Sequence, residues 1–352
     1  MILSALVILI FTALLSWFCV GRLRHILLAN NIVDQANERS MHEGQVPRGG
    51  GLVIVMAMLI ALLALSISSA RPTLFLGLWL TVLLWSALSW WDDQHDLSPK
   101  LRLILQMAFT LFMVSAFGWI DSIQLSMDLR ITLDWLGAVL TFIGILWLAN
   151  LYNFMDGMDG LAAAQTIIAS LTLSFWFWAL GDVEIALLCL VIAGASYGFL
   201  LWNWRPAKIF MGDVASVTLG AFFACLIIIG SSRFDIPVIS MVMLFGVFVA
   251  DATVTMLKRI SKFEKFWLPH RQHCYQRLGL AGMAHEKIVV LSILAMVFCS
   301  LLATLSLIYR DTILVCLGVL CFSVVFVIIG VNSLERMQST KPNNSQTNSG
   351  EE

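Results

Sequence analysis

Continuous apolar runs separated by polar connections make up most of the chain. Eleven stand out, at roughly 2–21, 50–69, 73–91, 102–118, 135–152, 161–180, 185–202, 215–232, 237–257, 287–308 and 312–333. A helix that crosses a bilayer takes about 20 apolar residues. A transmembrane barrel needs strands of about 10 residues with alternating polarity, and these runs are unbroken. Backbone groups in hydrocarbon must be satisfied within their own segment, so unbroken runs of this length are helices. The pattern predicts an all-α, polytopic integral membrane protein with about 11 transmembrane helices. One transmembrane domain spans 1–336, and a polar tail over 337–352 is expected to be disordered.

Composition points the same way. Of 352 residues, 60% are hydrophobic and 12% charged, with a mean hydropathy of +0.90, against about 45–50% and 25% in soluble domains. One soluble core cannot bury that much apolar surface, which excludes a soluble globular enzyme. Charge is distributed by side. Four of the 21 Lys and Arg (Arg71, Arg130, Arg233 and Arg310) fall in one set of connections, and the remaining seventeen fall in the other. That bias places the N-terminus outside and the C-terminus in the cytoplasm. The first run lacks a basic residue before it and is followed by Arg22 and Arg24, which reads as a retained span and not a cleaved signal. The seven cysteines form no CxxC pair and six sit in apolar runs, so they read as packing residues.

Polar chemistry collects in the cytoplasmic connections. Asp92, Asp93 and Asp96 follow the third run in WWDDQHDLSPK, Asp156 and Asp159 follow the fifth in NLYNFMDGMDGLAAAQ, and Asp213 precedes the eighth in WNWRPAKIFMGDVAS. Six carboxylates at one membrane edge repel one another, and a bound divalent cation is the simplest relief. All-oxygen ligands favour Mg²⁺, with Mn²⁺ the alternative, over zinc. Neighbours on a helix point about 100° apart, so Asp92 and Asp93 divide the work between metal and base or phosphate, or else merely end a helix. Asp156 and Asp159 are spaced i, i+3 and share a face if helical. Gly157 and Gly160 let a ligand approach the backbone, and Asn150 and Asn153 supply amides.

Three further segments carry candidates. Asn203, Arg205, Lys208 and Asp213 crowd one short loop whose cations suit a phosphate, although Asp213 equally suits a helix cap. LPHRQHCYQRL carries Arg271, His273, Tyr275, Gln276 and Arg277, a cluster suited to a nucleotide diphosphate and base, or simply to the positive-inside rule. In RSMHEGQVPRGG, Arg39, His42 and Arg48 either add phosphate contacts or anchor the chain at the membrane surface. Asp251 lies inside the ninth run, where a carboxylate is either functional or bonded to a neighbouring helix. His95 neighbours the acidic pair, while His25 and His285 read as ordinary loop residues.

In combination and order, over about residues 39–278, these segments resemble the polyprenyl-phosphate N-acetylhexosamine-1-phosphate transferases. That family includes the phospho-MurNAc-pentapeptide translocases and the GlcNAc-1-phosphate transferases that start O-antigen chains. The resemblance implies a catalytic set of Asp92, Asp93, Asp156 and Asp159. It implies a metal site at Asp213 and Asp93 for Mg²⁺ or Mn²⁺. It implies substrate contacts at Asn153, Asn203, Lys208, Arg271, His273 and Arg48, with Asp251 matching an acidic position of the ninth span. The implied partners are a UDP-N-acetylhexosamine, undecaprenyl phosphate and the lipid bilayer. A homodimer is compatible with the resemblance, and nucleic acid is not expected. The HRxHxYQ form of the last loop is similar to the O-antigen-priming branch that uses UDP-linked FucNAc or QuiNAc. Two other classes remain open on the residues alone: a multi-span transporter of an anionic solute, and a CDP-alcohol phosphatidyltransferase. The second usually has about half as many spans, and its acidic motif continues differently after the glycine.

Overall fold

The computed structural model describes residues 2–30, 33–34, 46–265 and 270–339. All eleven apolar runs are helical. In chain order the helices are α1 (Ile2–Ala29), α2 (Leu52–Ser68), α3 (Pro72–His95), α4 (Pro99–Phe117), α5 (Asp134–Met155), α6 (Leu161–Ala179) and α7 (Val183–Asn203). They continue with α8 (Asp213–Phe234), α9 (Val238–Met243), α10 (Gly246–Ser261), α11 (Cys274–Leu280), α12 (His285–Ile308) and α13 (Ile313–Ser339). Two small antiparallel ribbons complete it: β1 (Val33–Asp34) with β2 (Val46–Pro47), and β3 (Ser122–Gln124) with β4 (Arg130–Thr132), Ile123 opposite Ile131. Among the described residues, nine helices are long and apolar enough to cross a membrane. The protein is an all-α, multi-pass membrane protein.

Local chemistry sets the helix ends. Pro72 and Pro99 open α3 and α4, where a missing N–H costs nothing. Ser98 caps the Leu101 amide at 3.3 Å, and Asp182 caps that of Ile185 at 3.0 Å. Successive spans alternate in direction, with α9 and α10 together making one broken span. The α3–α4, α5–α6 and α7–α8 connections and the end of α10 therefore share one end of the bundle, the carboxylate end. The β3–β4 hairpin and the α6–α7, α8–α9 and α12–α13 turns share the other. There Arg71 pairs with Asp182 and Glu184, and Asp235 receives both Arg130 and Arg310.

The centre of the bundle is α8, buried along almost its whole length and packed mainly on α5 and α3. Small residues on α8 let backbones approach, as membrane helix packing requires. A Cβ at Gly220 would lie 2.5 Å from the Leu148 carbonyl and 2.7 Å from the Ala149 Cα. α1 and α13 instead turn large apolar side chains such as Phe11, Phe322 and Phe326 outward, which suits hydrocarbon.

Three elements depart from the sequence expectation. α1 continues past residue 21 to Ala29, because its basic side chains find partners alongside the helix. Arg22 lies over the Phe18 ring and Arg24 Nε donates to the Lys208 carbonyl at 3.1 Å. The 237–257 run breaks after α9, and Gln165 Nε2 reaches the Leu244 carbonyl at the break at 3.3 Å. α13 continues to Ser339, into the stretch expected to be a disordered tail. The rest of that tail, with Arg39 and His42, lies outside the described residues.

An added methyl at Gly220 overpacks the α5–α8 contact, an effect of about 1–3 kcal/mol. Gly220→Ala is therefore expected to lower the thermal unfolding midpoint in detergent. Gly318→Ala on α13, where an added Cβ meets nothing within 4 Å, is expected to leave the midpoint unchanged. Equal midpoints for the two variants count against this packing.

Candidate active site

The site begins with a strap. Residues 46–51 run beside 209–212: the Phe210 amide donates to the Pro47 carbonyl at 2.9 Å, and the Gly50 and Gly51 amides donate to Phe210 and Met211 carbonyls at 2.8 and 3.0 Å. Gly51 permits this approach, since a Cβ there would collide with Ala215 and lie 2.9 Å from the Met211 carbonyl. The strap carries Arg48 onto Asp213, the first residue of α8, where the helix N-terminus also favours a carboxylate. The same guanidinium lies 3.8 Å from Asp93 at the end of α3. Segments far apart in sequence thus bring Arg48, Asp93 and Asp213 together.

Asp92 points elsewhere, as neighbouring helical positions must. Its carboxylate accepts from the Leu97 amide at 3.0 Å and from Arg102 at 2.9 Å, which fastens the α3–α4 turn. Asp93 is the member of the pair that faces Arg48.

The Asp156–Gly160 segment is not helical: α5 stops at Met155 and α6 begins at Leu161. Asp156 and Asp159 therefore do not share a helical face, as their spacing allowed. Asp156 caps α5, half-buried, near Asp213, Asp159 and Arg48. Desolvation pushes its carboxyl well above the usual carboxylate range, the Asp213 and Asp159 charges push the same way, and Arg48 opposes them. Asp159, buried, accepts from the Ala207 amide at 3.1 Å and lies 4.0 Å from Arg205. Gly160 adopts φ +81° and donates to Asn203 Oδ1 at 2.9 Å, while Asn203 Nδ2 donates to the Ile209 carbonyl at 2.9 Å. Asn203, expected at the nucleotide, is buried and spans two loops. Asn153 donates to Ser216 Oγ at 3.0 Å, which places its amide beside the start of α8.

The loop after α10 folds back over this turn. Asp251 accepts from the Cys274 and Tyr275 amides at 2.8 and 3.4 Å and lies 3.4 Å from His273 Nδ1, so it anchors the start of α11. His273 is buried and stacks on Tyr275 with centroids 5.7 Å apart. The Tyr275 hydroxyl donates to the Phe154 carbonyl at 3.2 Å. Burial, then the Asp251 and Asp156 charges, push that hydroxyl above its ordinary value, so it stays protonated and can donate. A Cβ at Gly157 would strike the Tyr275 hydroxyl, so this glycine makes room for the loop. Arg277 turns away to Glu335 and Asn332 on α13. Arg271 lies in the same loop, partly buried.

The structure thus gathers Arg48, Asp93, Asp156 and Asp213, with Asn153 and Asp159 adjoining. It sets Asp92 on its own turn. Lys208 is exposed, with Nζ 5.6 Å over the Trp202 ring beside α1. Sequence reasoning passed over His285, which meets Arg205 across 80 positions at 2.7 Å; only the tertiary fold makes that pair visible. Among the described residues, no three His, Cys, Asp or Glu side chains close into a finished metal cage. The donor chemistry nevertheless fits a hard cation: Asp93 and Asp213 offer oxygens and already share one positive group, Arg48.

The family model described as glycosyl transferase family 4 matches residues 75–231, which carry Asp92, Asp93, Asp156, Asp159 and Asp213. A Bacillus subtilis (strain 168) protein described as "Probable undecaprenyl-phosphate N-acetylglucosaminyl 1-phosphate transferase" is 30% identical over 281 residues, covering 78% of this chain and 77% of that protein. A phospho-N-acetylmuramoyl-pentapeptide-transferase of Synechococcus elongatus is 28% identical over 267 residues, covering 72% and 70%. One of the same description from Desulfotalea psychrophila is 29% identical over 280 residues, covering 70% and 75%. With its ordered acidic motifs at one end of a polytopic helical bundle, the chain belongs to glycosyl transferase family 4, among the polyprenyl-phosphate N-acetylhexosamine-1-phosphate transferases.

Proposed function

We propose that the protein moves N-acetylhexosamine-1-phosphate from a UDP-N-acetylhexosamine of the GlcNAc, FucNAc or QuiNAc type to undecaprenyl phosphate, releasing UMP. The step initiates O-antigen or a related envelope glycan. It takes place at the cytoplasmic face of a bacterial inner membrane, within the domain over 1–336. The observation that carries this reading is the convergence of Asp93, Asp156 and Asp213 on Arg48 at one end of the bundle.

In the reaction an oxygen of the lipid phosphate attacks the sugar-bearing phosphorus of the donor. A new P–O bond forms, the bond to the bridging oxygen breaks, and UMP leaves. Such chemistry needs positioning and charge neutralisation more than covalent machinery. Asp93 and Asp213 are the residues that would hold Mg²⁺, or Mn²⁺ in its place; when bound it supplies Lewis-acid neutralisation of the diphosphate. Arg48 is placed to turn from the carboxylates to an incoming phosphate. Asp156 faces the same point and can hold a proton from the acceptor. Asn153, His273 and Arg271 border the donor side, and Asp92 keeps the α3–α4 turn that aims Asp93. An apolar cavity of about 270 Å³, bounded by residues such as Ile123, Leu148, Val242 and Phe245, runs along α5, α8 and the α9–α10 break toward the hairpin end and suits part of an isoprenoid chain.

Purified protein supplied with Mg²⁺, undecaprenyl phosphate and UDP-sugars labelled in the β-phosphate is expected to carry label into lipid and release UMP. Release of UDP without label in lipid excludes the proposal. In that assay Asp93→Asn and Asp213→Asn are each expected to lower kcat by about a hundredfold or more; near-normal turnover in both removes the cluster from the site.

Gly157→Ala is expected to displace Tyr275 and lower activity about tenfold. Adding Tyr275→Phe, which deletes the clashing oxygen, restores part of it; a double variant no better than the single one argues against this contact. Because the raised Asp156 carboxyl must lose its proton beside a cation, Mn²⁺ affinity read by electron paramagnetic resonance is expected to fall as pH falls, and less steeply in Asp156→Asn.

A further inference from the structure

His285 opens α12, outside the acidic motifs, yet it reaches into the site. Arg205 Nη1 lies 2.7 Å from His285 Nδ1. A guanidinium only donates, so Nδ1 carries the lone pair, the proton sits on Nε2, and the ring is neutral in this arrangement. On its other side Arg205 faces Asp159 at 4.0 Å. Among the described residues, the imidazole is the one side chain that hydrogen-bonds Arg205. The guanidinium therefore ties the α7–α8 loop to both the Asp156–Asp159 turn and the start of α12.

We propose that His285 is a positioning residue for sugar-phosphate transfer: as the neutral imidazole it holds Arg205 against Asp159, and on protonation it lets Arg205 go. The inference rests on the transfer reaction proposed above. Its physical basis is that a proton on Nδ1 turns an acceptor into a donor and sets two cations in contact. The charged groups facing the ring are Asp159 and Arg205 from the two loops and Glu286 on its own helix. α11, which packs on α12, brings Arg277, already turned to Glu335 and Asn332. Once Arg205 is free, the turn that carries Asp156 loses a constraint, and kcat falls more than donor binding.

Asparagine is the informative replacement. Its Oδ1 occupies the position of Nδ1 and accepts from Arg205, but it does not titrate. The full chain in nanodiscs is assayed with undecaprenyl phosphate and whichever of UDP-GlcNAc, UDP-FucNAc or UDP-QuiNAc wild type uses fastest. Both kcat and the thermal midpoint are followed from about pH 5.5 to 8.5.

His285→Ala is expected to lower kcat about tenfold at the alkaline end with the donor KM within about threefold of wild type. His285→Asn is expected to keep most of the wild-type kcat there. As pH falls below about 6.5, the ordinary imidazole value, wild type loses midpoint first and kcat at lower pH, because burial keeps the ring from taking up a proton, and His285→Asn loses less of both. The inference is overturned if His285→Ala matches wild type, or if His285→Asn follows the wild-type acid limb. A wild type that transfers no sugar phosphate at any pH overturns the reaction itself. An active wild type with indifferent variants overturns only the role of His285.

Discussion

The sharing of Arg48 between Asp93 and Asp213 is the interaction around which the carboxylate end is built. Carboxylates at the edge of a low-dielectric bundle cannot sit together uncompensated. The strap over residues 46–51 brings a positive group to them, and it closes only because Gly51 has no side chain to strike Ala215. Asp156 shows how far the compensation goes. Burial first, then the Asp213 and Asp159 charges, make its carboxyl hold its proton more tightly than a free aspartate even with Arg48 opposing them. In the transfer reaction proposed above, a hard cation would add the further positive charge.

Around that centre, side chains that do not face the charges keep the loops in register. Asn203 bonds the backbone of Gly160 and of Ile209, and Asp159 accepts from Ala207, so the α5–α6 and α7–α8 loops form one unit. Asp251 holds the start of α11, and Tyr275 from that helix grips the Phe154 carbonyl. The rigid partner beneath is α8, whose first residue is Asp213 and whose body is buried between α5 and α3. Precision at a phosphoryl-transfer site comes from such supports, since misplacement by about 1 Å costs orders of magnitude in rate.

The helices were legible in the sequence because a membrane leaves a long apolar run few other choices. The acidic segments were legible because carboxylates are expensive there. What escaped depends on contacts between distant segments. The break at 244–245 carries no proline or polar cluster, and it is Gln165 of another helix that reaches the Leu244 carbonyl. The i, i+3 spacing of Asp156 and Asp159 invited a helical reading, but the segment is a turn with Gly160 at positive φ. Asn203, a substrate contact by the resemblance, also bonds the backbone of two loops, which only the tertiary fold makes visible. His285 looked ordinary because its partner lies 80 positions away.

The two ends of the bundle separate structural charge from functional charge. At the hairpin end, Arg71 serves Asp182 and Glu184 while Asp235 takes Arg130 and Arg310, so three arginines meet three acids in two shared clusters. At the carboxylate end, Asp93 and Asp213 share Arg48, and the same guanidinium is the cation that opposes the neighbours of Asp156. Both ends hold acids and arginines, and mere abundance does not tell them apart. Stoichiometry does. On the transfer reaction proposed above, the convergence on Arg48 is where a divalent cation and a diphosphate would be received. Asp92 holds Arg102 and the Leu97 amide within its own turn, while Asp93 at the same helix end faces Arg48. On that reading the division between scaffold and chemistry runs between two adjacent aspartates.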